Sequence, residues 1–410
     1  MSDFYDAKET RDPATRQAEQ WAALRGQIAH AQANAPYFSE TLKGVNAQDI
    51  KAPADLARLP VTRKSDLHAR QKAMPPLGGL AAAAMAKLKH VYQSPGPIYE
   101  PDGFEADHWR FARAMWCAGL RPGDLVLNCF SYHLTPAGML VESAAHAIGC
   151  PVIPGGVGNT ELQVQAINDL KPVAYGGTPS FLRILLQKGR EMNLDVSSLK
   201  KALVGGEALP PSLRKEINDL GCFVLQSYGT ADLGLIAYES PAMEGLILDE
   251  DVIVEIVRPG TGDLVAEGEV GEVVVTTLRN REYPLIRFAT GDLSAIMAGS
   301  SPCGRTNTRI KGWMGRADQT TKVKGMFVTP GQIAQVVARH AEIAKARLEV
   351  TSENNVDAMV LKVEAKAGLD AAKAAESLQA ICKLRGSVEI VASGSLPNDG
   401  KVIADLRTYQ

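Results

Sequence analysis

The residues best placed to do chemistry lie where a carboxylate ends an apolar run. Tyr283-Pro284-Leu285-Ile286-Arg287-Phe288-Ala289-Thr290-Gly291-Asp292 sets Asp292 behind a hydrophobic segment, and Gly315-Arg316-Ala317-Asp318 follows it. An ionised carboxylate accepts hydrogen bonds on both oxygens, so a fixed Asp292 suits two vicinal hydroxyls such as those of a ribose. Thr-Gly-Asp is also a common turn, and a hairpin with an exposed aspartate is the competing reading of the segment alone.

Other segments stand in a fixed order around this one. Leu203-Val204-Gly205-Gly206-Glu207-Ala208 and Gln226-Ser227-Tyr228-Gly229-Thr230-Ala231-Asp232 precede it, and Leu396-Pro397-Asn398-Asp399-Gly400-Lys401 closes the series. Together they resemble the adenine-binding turn, the Tyr-Gly-x-Thr/Ser-Glu motif and the C-terminal Gly-Lys segment of the adenylate-forming superfamily, whose members activate carboxylic acids as acyl-adenylates. Ala33-Asn34-Ala35-Pro36-Tyr37-Phe38, Leu59-Pro60-Val61-Thr62-Arg63-Lys64-Ser65-Asp66-Leu67, Gly119-Leu120-Arg121-Pro122-Gly123-Asp124 and Gly177-Thr178-Pro179-Ser180 extend the resemblance, nearly end to end, to the phenylacetate:CoA ligase family.

That resemblance implies an AMP-forming acid:CoA ligase using ATP, Mg²⁺ and CoA as co-substrate on a small, aromatic or related carboxylic acid. It gives Lys401 the developing charge between carboxylate and α-phosphate, a task suited to a compact ammonium. Asp232 stands where the family has a Mg²⁺-associated Glu, and Thr230 with Ser227, Tyr228 and Gly229 would face the nucleotide. Ala231 replaces a hydroxyl residue of the family. Gly205, Gly206, Glu207 and Ala208 would approach the adenine edge, glycine permitting the close backbone. Arg316 would reach ribose or phosphate, Asp318 would be the hinge, and Lys322, Lys324 and Gly325 would border a pantetheine channel. Tyr132 and His133, within Phe130-Ser131-Tyr132-His133-Leu134-Thr135-Pro136, would line the acid pocket as an aromatic wall or hydrogen-bond donor.

Two departures from the family stand out. Its phosphate-gripping loop, Ser-Ser-Gly-Thr-Thr-Gly-Lys-Pro, corresponds here to Ser94-Pro95-Gly96-Pro97-Ile98-Tyr99-Glu100-Pro101. Ser94 and Gly96 persist, but two prolines lack N–H donors, Ile98 lacks a hydroxyl and Glu100 takes the lysine position, which predicts a weakened grip on β- and γ-phosphates. Where relatives look able to hold a structural zinc, this chain has Glu239-Ser240, Ile247-Leu248 and Ser301-Pro302-Cys303. One thiolate does not complete a four-ligand zinc site, so none is expected. Two alternatives stay open: a nucleotidyltransferase like the coenzyme-synthetase relatives of this branch and, supported by the weakened loop, a nonadenylating acyl-adenylate/CoA-binding protein.

Elements must hold these residues. The 410 residues exceed one ordinary core, and 45% hydrophobic with 22% charged residues suits a soluble globular protein. A net charge of −2 gives no footprint for nucleic acid or an anionic membrane. The six cysteines, Cys117, Cys129, Cys150, Cys222, Cys303 and Cys382, form no Cys-x-x-Cys, and no apolar run is long enough to span a bilayer. These features predict a cytoplasmic enzyme with reduced thiols, small-molecule partners and, as one option, a homodimer.

Trp21, Leu24 and Ile28 give residues 15–34 helical spacing. Strand-like 125–130 and 151–154 flank helix-like 137–148, an alternation that predicts a parallel α/β sheet. Antiparallel strands are expected at 252–257 and 272–277 around the turn Pro259-Gly260-Thr261-Gly262. Beyond Asp318 a βαββαβ unit is expected: strands 321–324, 346–351, 358–364 and 387–391, and helices 330–340 and 371–384. With the resemblance, the fold class is α/β: a large N-terminal domain with mixed sheets, residues 1–317, binding AMP and the acid, and a small mobile α+β C-terminal domain, residues 318–410, carrying the Gly-Lys motif.

Overall fold

The structure, a computed structural model, describes residues 3–94, 97–258, 261–314, 317, 321–324, 326–328, 330–353, 356–397 and 402–407, with the backbone alone for 322, 327, 330, 331, 334 and 353. The chain forms two compact units, Met1–Met314 and Gly315–Gln410. The expected parallel sheet is the centre of the first. Strands Val152–Pro154, Val126–Asn128, Ala174–Gly177, Lys201–Val204 and Phe223–Thr230 lie side by side in that order and all run parallel. Gly234–Glu239 and Leu246–Leu248 then continue the sheet antiparallel.

Strand alternation divides the core. Leu203 and Leu225 pack with Leu140, Val141 and Ile148 of helix Ala137–Ile148. Ala202, Val204 and Val224 pack on the other face with Ile167, Leu182, Leu186 and Ile217 from the following three helices. This is the two-sided burial that makes parallel strands continuously apolar. Helix Ala137–Ile148 keeps its predicted bounds because Gly149, at φ 92°, closes it in the left-handed conformation. The first helix starts slightly before the predicted segment, at Pro13, with the Asp12 carboxylate accepting from the Thr15 amide.

A second sheet carries the Asp292 segment. Val252–Val257 pairs antiparallel with Gly271–Thr277, as the spacing predicts, and Gly271–Thr277 with Phe288–Ser294. The edge strand Thr62–Arg63 runs parallel to Phe288–Ala289. Arg287 locks the approach to Asp292. At φ 46° and 1% exposed, it donates to Glu255 Oε2 at 3.0 Å and to the carbonyls of Ala57, Leu59 and Gly262 at 2.7, 2.5 and 2.7 Å.

The N-terminal segment is tied to distant sequence. Arg16 Nε donates to Glu250 at 2.8 Å, Glu9 accepts from Arg305 at 2.6 Å and from the Tyr238 hydroxyl at 2.9 Å, and the Thr306 amide donates to the Glu9 carbonyl at 3.0 Å. Glu9, Arg16, Glu250 and Arg305 are all buried. Buried charges persist only when paired in this way.

The second unit departs from βαββαβ. Its sheet runs Ser387–Val391, Val356–Ala365, Ile343–Glu353, Ile403–Asp405, while Thr321–Val323 pairs with Met326–Val328 in a separate hairpin. The predicted first strand therefore lies outside the sheet. Ile403–Asp405, parallel to Leu348–Val350, completes it instead. Helices Pro330–Ala338 and Ala371–Cys382 contribute Val336 and Leu378 to this unit's core. All six cysteines are free, and among the described residues no helix is long and apolar enough to cross a membrane.

Candidate functional site

Parallel strands deliver their following loops to one edge, outside their carboxyl ends, where α/β sheets bind ligands. Gly177 pairs with Val204 and Val204 with Gln226, so residues 178–180, 205–208 and 227–232 leave neighbouring strands at one level. Phe130, beyond Val126–Asn128, joins them. A Cβ on Gly206 would lie 3.6 Å from the Phe130 ring and 3.9 Å from Thr178, and the φ of 75° there itself favours glycine. Glu207 is exposed, and its Oε2 accepts from Ser180 Oγ at 2.5 Å. Ala208 is partly buried beside it. The four predicted adenine-edge residues thus form one turn above the sheet.

Tyr228 joins the two sheets at Asp292. Its hydroxyl donates to Asp292 Oδ2 at 2.9 Å, and Trp313 Nε1 donates to Asp292 Oδ1 at 3.1 Å. Thr290 Oγ1 accepts from the Asp292 amide at 3.1 Å, setting the backbone after the positive-φ Gly291. Asp292 is 7% exposed. The carboxylate is therefore positioned by aromatic donors on both oxygens, and a ribose would share or displace them. Ser227 Oγ donates to the Val204 carbonyl at 3.4 Å, and Thr230 Oγ1 accepts from the Leu233 amide at 3.1 Å, so both hydroxyls contribute to the turn. Gly229 has no room for a side chain, since a Cβ would meet the Gly234 carbonyl at 2.6 Å.

The described residues of the predicted phosphate loop belong mostly to an antiparallel pair of strands, His90–Ser94 and Ile98–Asp102. Ser94 pairs with Ile98 and Tyr92 with Glu100; Gly96 lies outside the described residues. Helix Lys64–Ala73 clamps the hairpin: Gln71 donates to the Tyr99 carbonyl at 2.7 Å and accepts from the Tyr99 amide at 2.8 Å. From the other side, the Gln93 amide donates to the Leu134 carbonyl at 2.9 Å, coupling the hairpin to the loop of Tyr132 and His133.

Glu100 is fully buried and accepts a hydrogen bond from Ser94 Oγ. Burial first, and then the negative charge of Asp232, raise its carboxyl far above the ordinary carboxylate range, against the pull of Lys64 and Ser94. Burial thus works against the negative charge that the sequence places there. Asp232, also fully buried, accepts from Lys64 Nζ at 2.5 Å on Oδ2. Glu100 Oε2 and Asp232 Oδ1, both buried, have no hydrogen-bond partner among the described residues, and the two carboxyls are close enough for the Asp232 charge to act on Glu100. A divalent ion on Asp232 would have to displace the Lys64 ammonium from Oδ2. These surroundings do not fit the Mg²⁺ role expected of Asp232, and among the described residues no group of three His, Cys, Asp or Glu is arranged to hold a metal ion.

Tyr132 is held within the first unit. Its hydroxyl donates to Glu142 at 2.7 Å and accepts from Asn128 at 2.7 Å, and a Cβ on Gly138 would lie 2.8 Å from its ring. His133 is exposed. In the second unit Lys322 lies on strand Thr321–Val323, and exposed Lys324, at φ 47°, donates its amide to Asp357 at 3.0 Å. Arg316, Asp318, Gly325 and Lys401 lie outside the described residues.

Sequence reasoning assigned no role to Lys64, Trp313 or Gln71. The first sits inside the Thr62-Arg63-Lys64-Ser65-Asp66 segment, which carries no signal of its distant partner.

Comparison with known proteins gives the family and the fold. Residues 106–278 match the family described as AMP-binding enzyme. The chain is 30% identical to the phenylacetate-coenzyme A ligase of Aromatoleum evansii, covering 89% of this chain and 85% of that ligase. It is 29% identical to the phenylacetate-coenzyme A ligase of Escherichia coli K12, covering 98% and 97%. Its fold resembles a crystal structure of 2-hydroxyisobutyryl-CoA ligase in complex with 2-HIB-AMP and CoA in the thioesterification state. The TM-score is 0.82 and the identity 26%, with 100% of this chain and 93% of that one covered.

Proposed function

Since the chain belongs to the phenylacetate-CoA ligase family of the adenylate-forming superfamily, we propose that it joins a small aromatic carboxylic acid to CoA by way of an acyl-adenylate. The acid's carboxylate attacks the α-phosphate of ATP and releases pyrophosphate. The CoA thiol then attacks the acyl carbon and AMP leaves. The observation that carries this reading is the full-length likeness to a ligase whose structure holds an acyl-adenylate and CoA.

In this reading Asp292 accepts from the ribose hydroxyls, and the turn 205–208 meets the adenine. Ser227, Tyr228, Gly229 and Thr230 border the α-phosphate, together with Arg316. Lys401 stabilises adenylation, Asp318 is the pivot of the small domain, and Lys322 and Lys324 border the CoA arm. The exposed His133, and Tyr132 through its hold on the 131–136 loop, bear on the acid pocket. The domain assignment is 1–317 and 318–410. A cytoplasmic setting accompanies the six free thiols, and a homodimer is to be read by sedimentation.

Acid-dependent pyrophosphate release across an acid panel, followed by CoA-dependent AMP release, tests the proposal. No pyrophosphate with any aromatic acid would reject it. One observation favours a second reading, an acyl-adenylate/CoA-binding protein: the Ser94 hydroxyl is already bonded to Glu100 inside the hairpin rather than turned toward a phosphate. That reading predicts tight acyl-adenylate binding without pyrophosphate.

A further inference from the structure

The cluster at Asp232 departs from what the family resemblance implies, and the departure is built from residues of this chain. Lys64 begins helix Lys64–Ala73 directly after strand Thr62–Arg63, whose parallel pairing with Phe288–Ala289 fixes it beside the strand that ends at Asp292. Its ammonium lies 2.5 Å from Asp232 Oδ2, and its side chain is 25% exposed against 0% for Asp232. Glu100, equally buried, lies near enough for the Asp232 charge to act on it, and Ser94 backs Glu100.

Magnesium takes near-octahedral oxygen ligands at about 2.0–2.1 Å and keeps several waters. A sealed carboxylate with an ammonium already seated on it offers neither the oxygens nor the room. We propose that Lys64 is the resident cation at Asp232, occupying the place at which the family resemblance puts a divalent ion. Any magnesium carried in by ATP is then held by its phosphates and not by Asp232. With a quarter of its side chain exposed, Lys64 can meet a phosphate oxygen as a monovalent, protein-borne counter-charge.

The inference rests on the ligase reading only in locating the metal, and neither arm of its test requires turnover. In the first arm Mn²⁺ is titrated into nucleotide-free protein and free Mn²⁺ is followed by electron paramagnetic resonance. The wild type and Lys64→Arg should take up no Mn²⁺ at this site. Lys64→Ala, with its fold checked by thermal melting, should gain one equivalent, and adding Asp232→Asn should abolish that gain. In the second arm the ATP dissociation constant is measured in EDTA and in excess Mg²⁺, and Asp232→Asn should leave the ratio of the two unchanged. Asp232-dependent Mn²⁺ uptake by the wild type, a folded Lys64→Ala that gains none, or a ratio that collapses in Asp232→Asn would each overturn the inference. If Lys64→Ala does not fold, the wild-type and Asp232→Asn measurements still decide. Failure here leaves the pyrophosphate assay intact as the judge of the ligase reading, and failure of that assay leaves the Mn²⁺ result standing.

Discussion

Asp292→Asn is the sharpest test of the ribose assignment because the structure dictates how the amide must sit. Trp313 Nε1 is a donor only and faces Oδ1 at 3.1 Å, so the amide oxygen is forced to that side. The NH₂ group then faces the Tyr228 hydroxyl, 2.9 Å from Oδ2 in the parent, and that hydroxyl can turn from donor to acceptor. The fold should consequently lose no more than about 1 kcal/mol, a typical neutral hydrogen bond. Alanine would instead strand two donors at a position 7% exposed, confounding binding with stability. A ribose bound to the Asn variant loses the negative charge and one acceptor. Hydrogen bonds to a charged group contribute roughly 1.5–3 kcal/mol, which is about 10- to 100-fold in AMP affinity. Calorimetry with AMP and 2′,3′-dideoxy-AMP closes a double-mutant cycle. Deleting the diol should weaken binding strongly to the parent and much less to the variant. Unchanged AMP affinity, or the same diol penalty in both proteins, would refute the assignment.

Three further outcomes are expected. His108 is buried with Nε2 unpartnered, and burial lowers its ring to about 4. The unfolded chain therefore takes the proton near the ordinary 6.5 while the fold does not, so stability falls with pH from about 6.5 toward 4, by roughly 2 kcal/mol at pH 5. Urea titrations should show a smaller loss in His108→Phe, and equal losses would sink the argument. Burial raises Cys303 too, but hydrogen bonds from Ser240, Ser301 and Arg305 prevail and its thiol titrates low, whereas burial pushes Cys117 and Cys222 up to about 12 and Cys382 to about 11. Iodoacetamide near neutral pH should label Cys303 first, read by peptide mass spectrometry. Lys401→Ala should abolish acyl-adenylate formation yet spare thioester formation from a supplied acyl-adenylate; equal loss of both would count against a lysine used in one half-reaction only.

Local signals carried much of the fold. Helix Ala137–Ile148 was readable because its apolar stripe stops at a glycine that can adopt positive φ. Strand 125–130 shrinks to Val126–Asn128, since apolarity extends past the residues that pair. The second unit was miscounted because a hairpin and a sheet strand look alike in one dimension, and a three-residue strand such as Ile403–Asp405 has too little periodicity to show. In the site, Asp292 and Tyr228 were legible from motif order. Lys64 was not, because its partner is 168 residues away and nothing nearby marks a lysine at a helix start as the counter-charge of a buried aspartate. Glu100 was singled out for its charge, but burial, which sequence does not display, works against that charge.

The buried ties of Glu9 and Arg16 to Glu250, Arg305 and Thr306 bear on how the chain is made. On a ribosome adding about 5–20 residues per second, roughly 15–60 s separate the emergence of the first helix from that of its final partners. During that interval the nascent N-terminal segment has Arg16 in its first helix and Glu9 just before it, both destined for the interior and without their partners. These N-terminal contacts therefore cannot all form until residues 305 and 306 have emerged. Slowing synthesis just before that point should lengthen exposure to chaperones and proteases more than an equal pause placed after it.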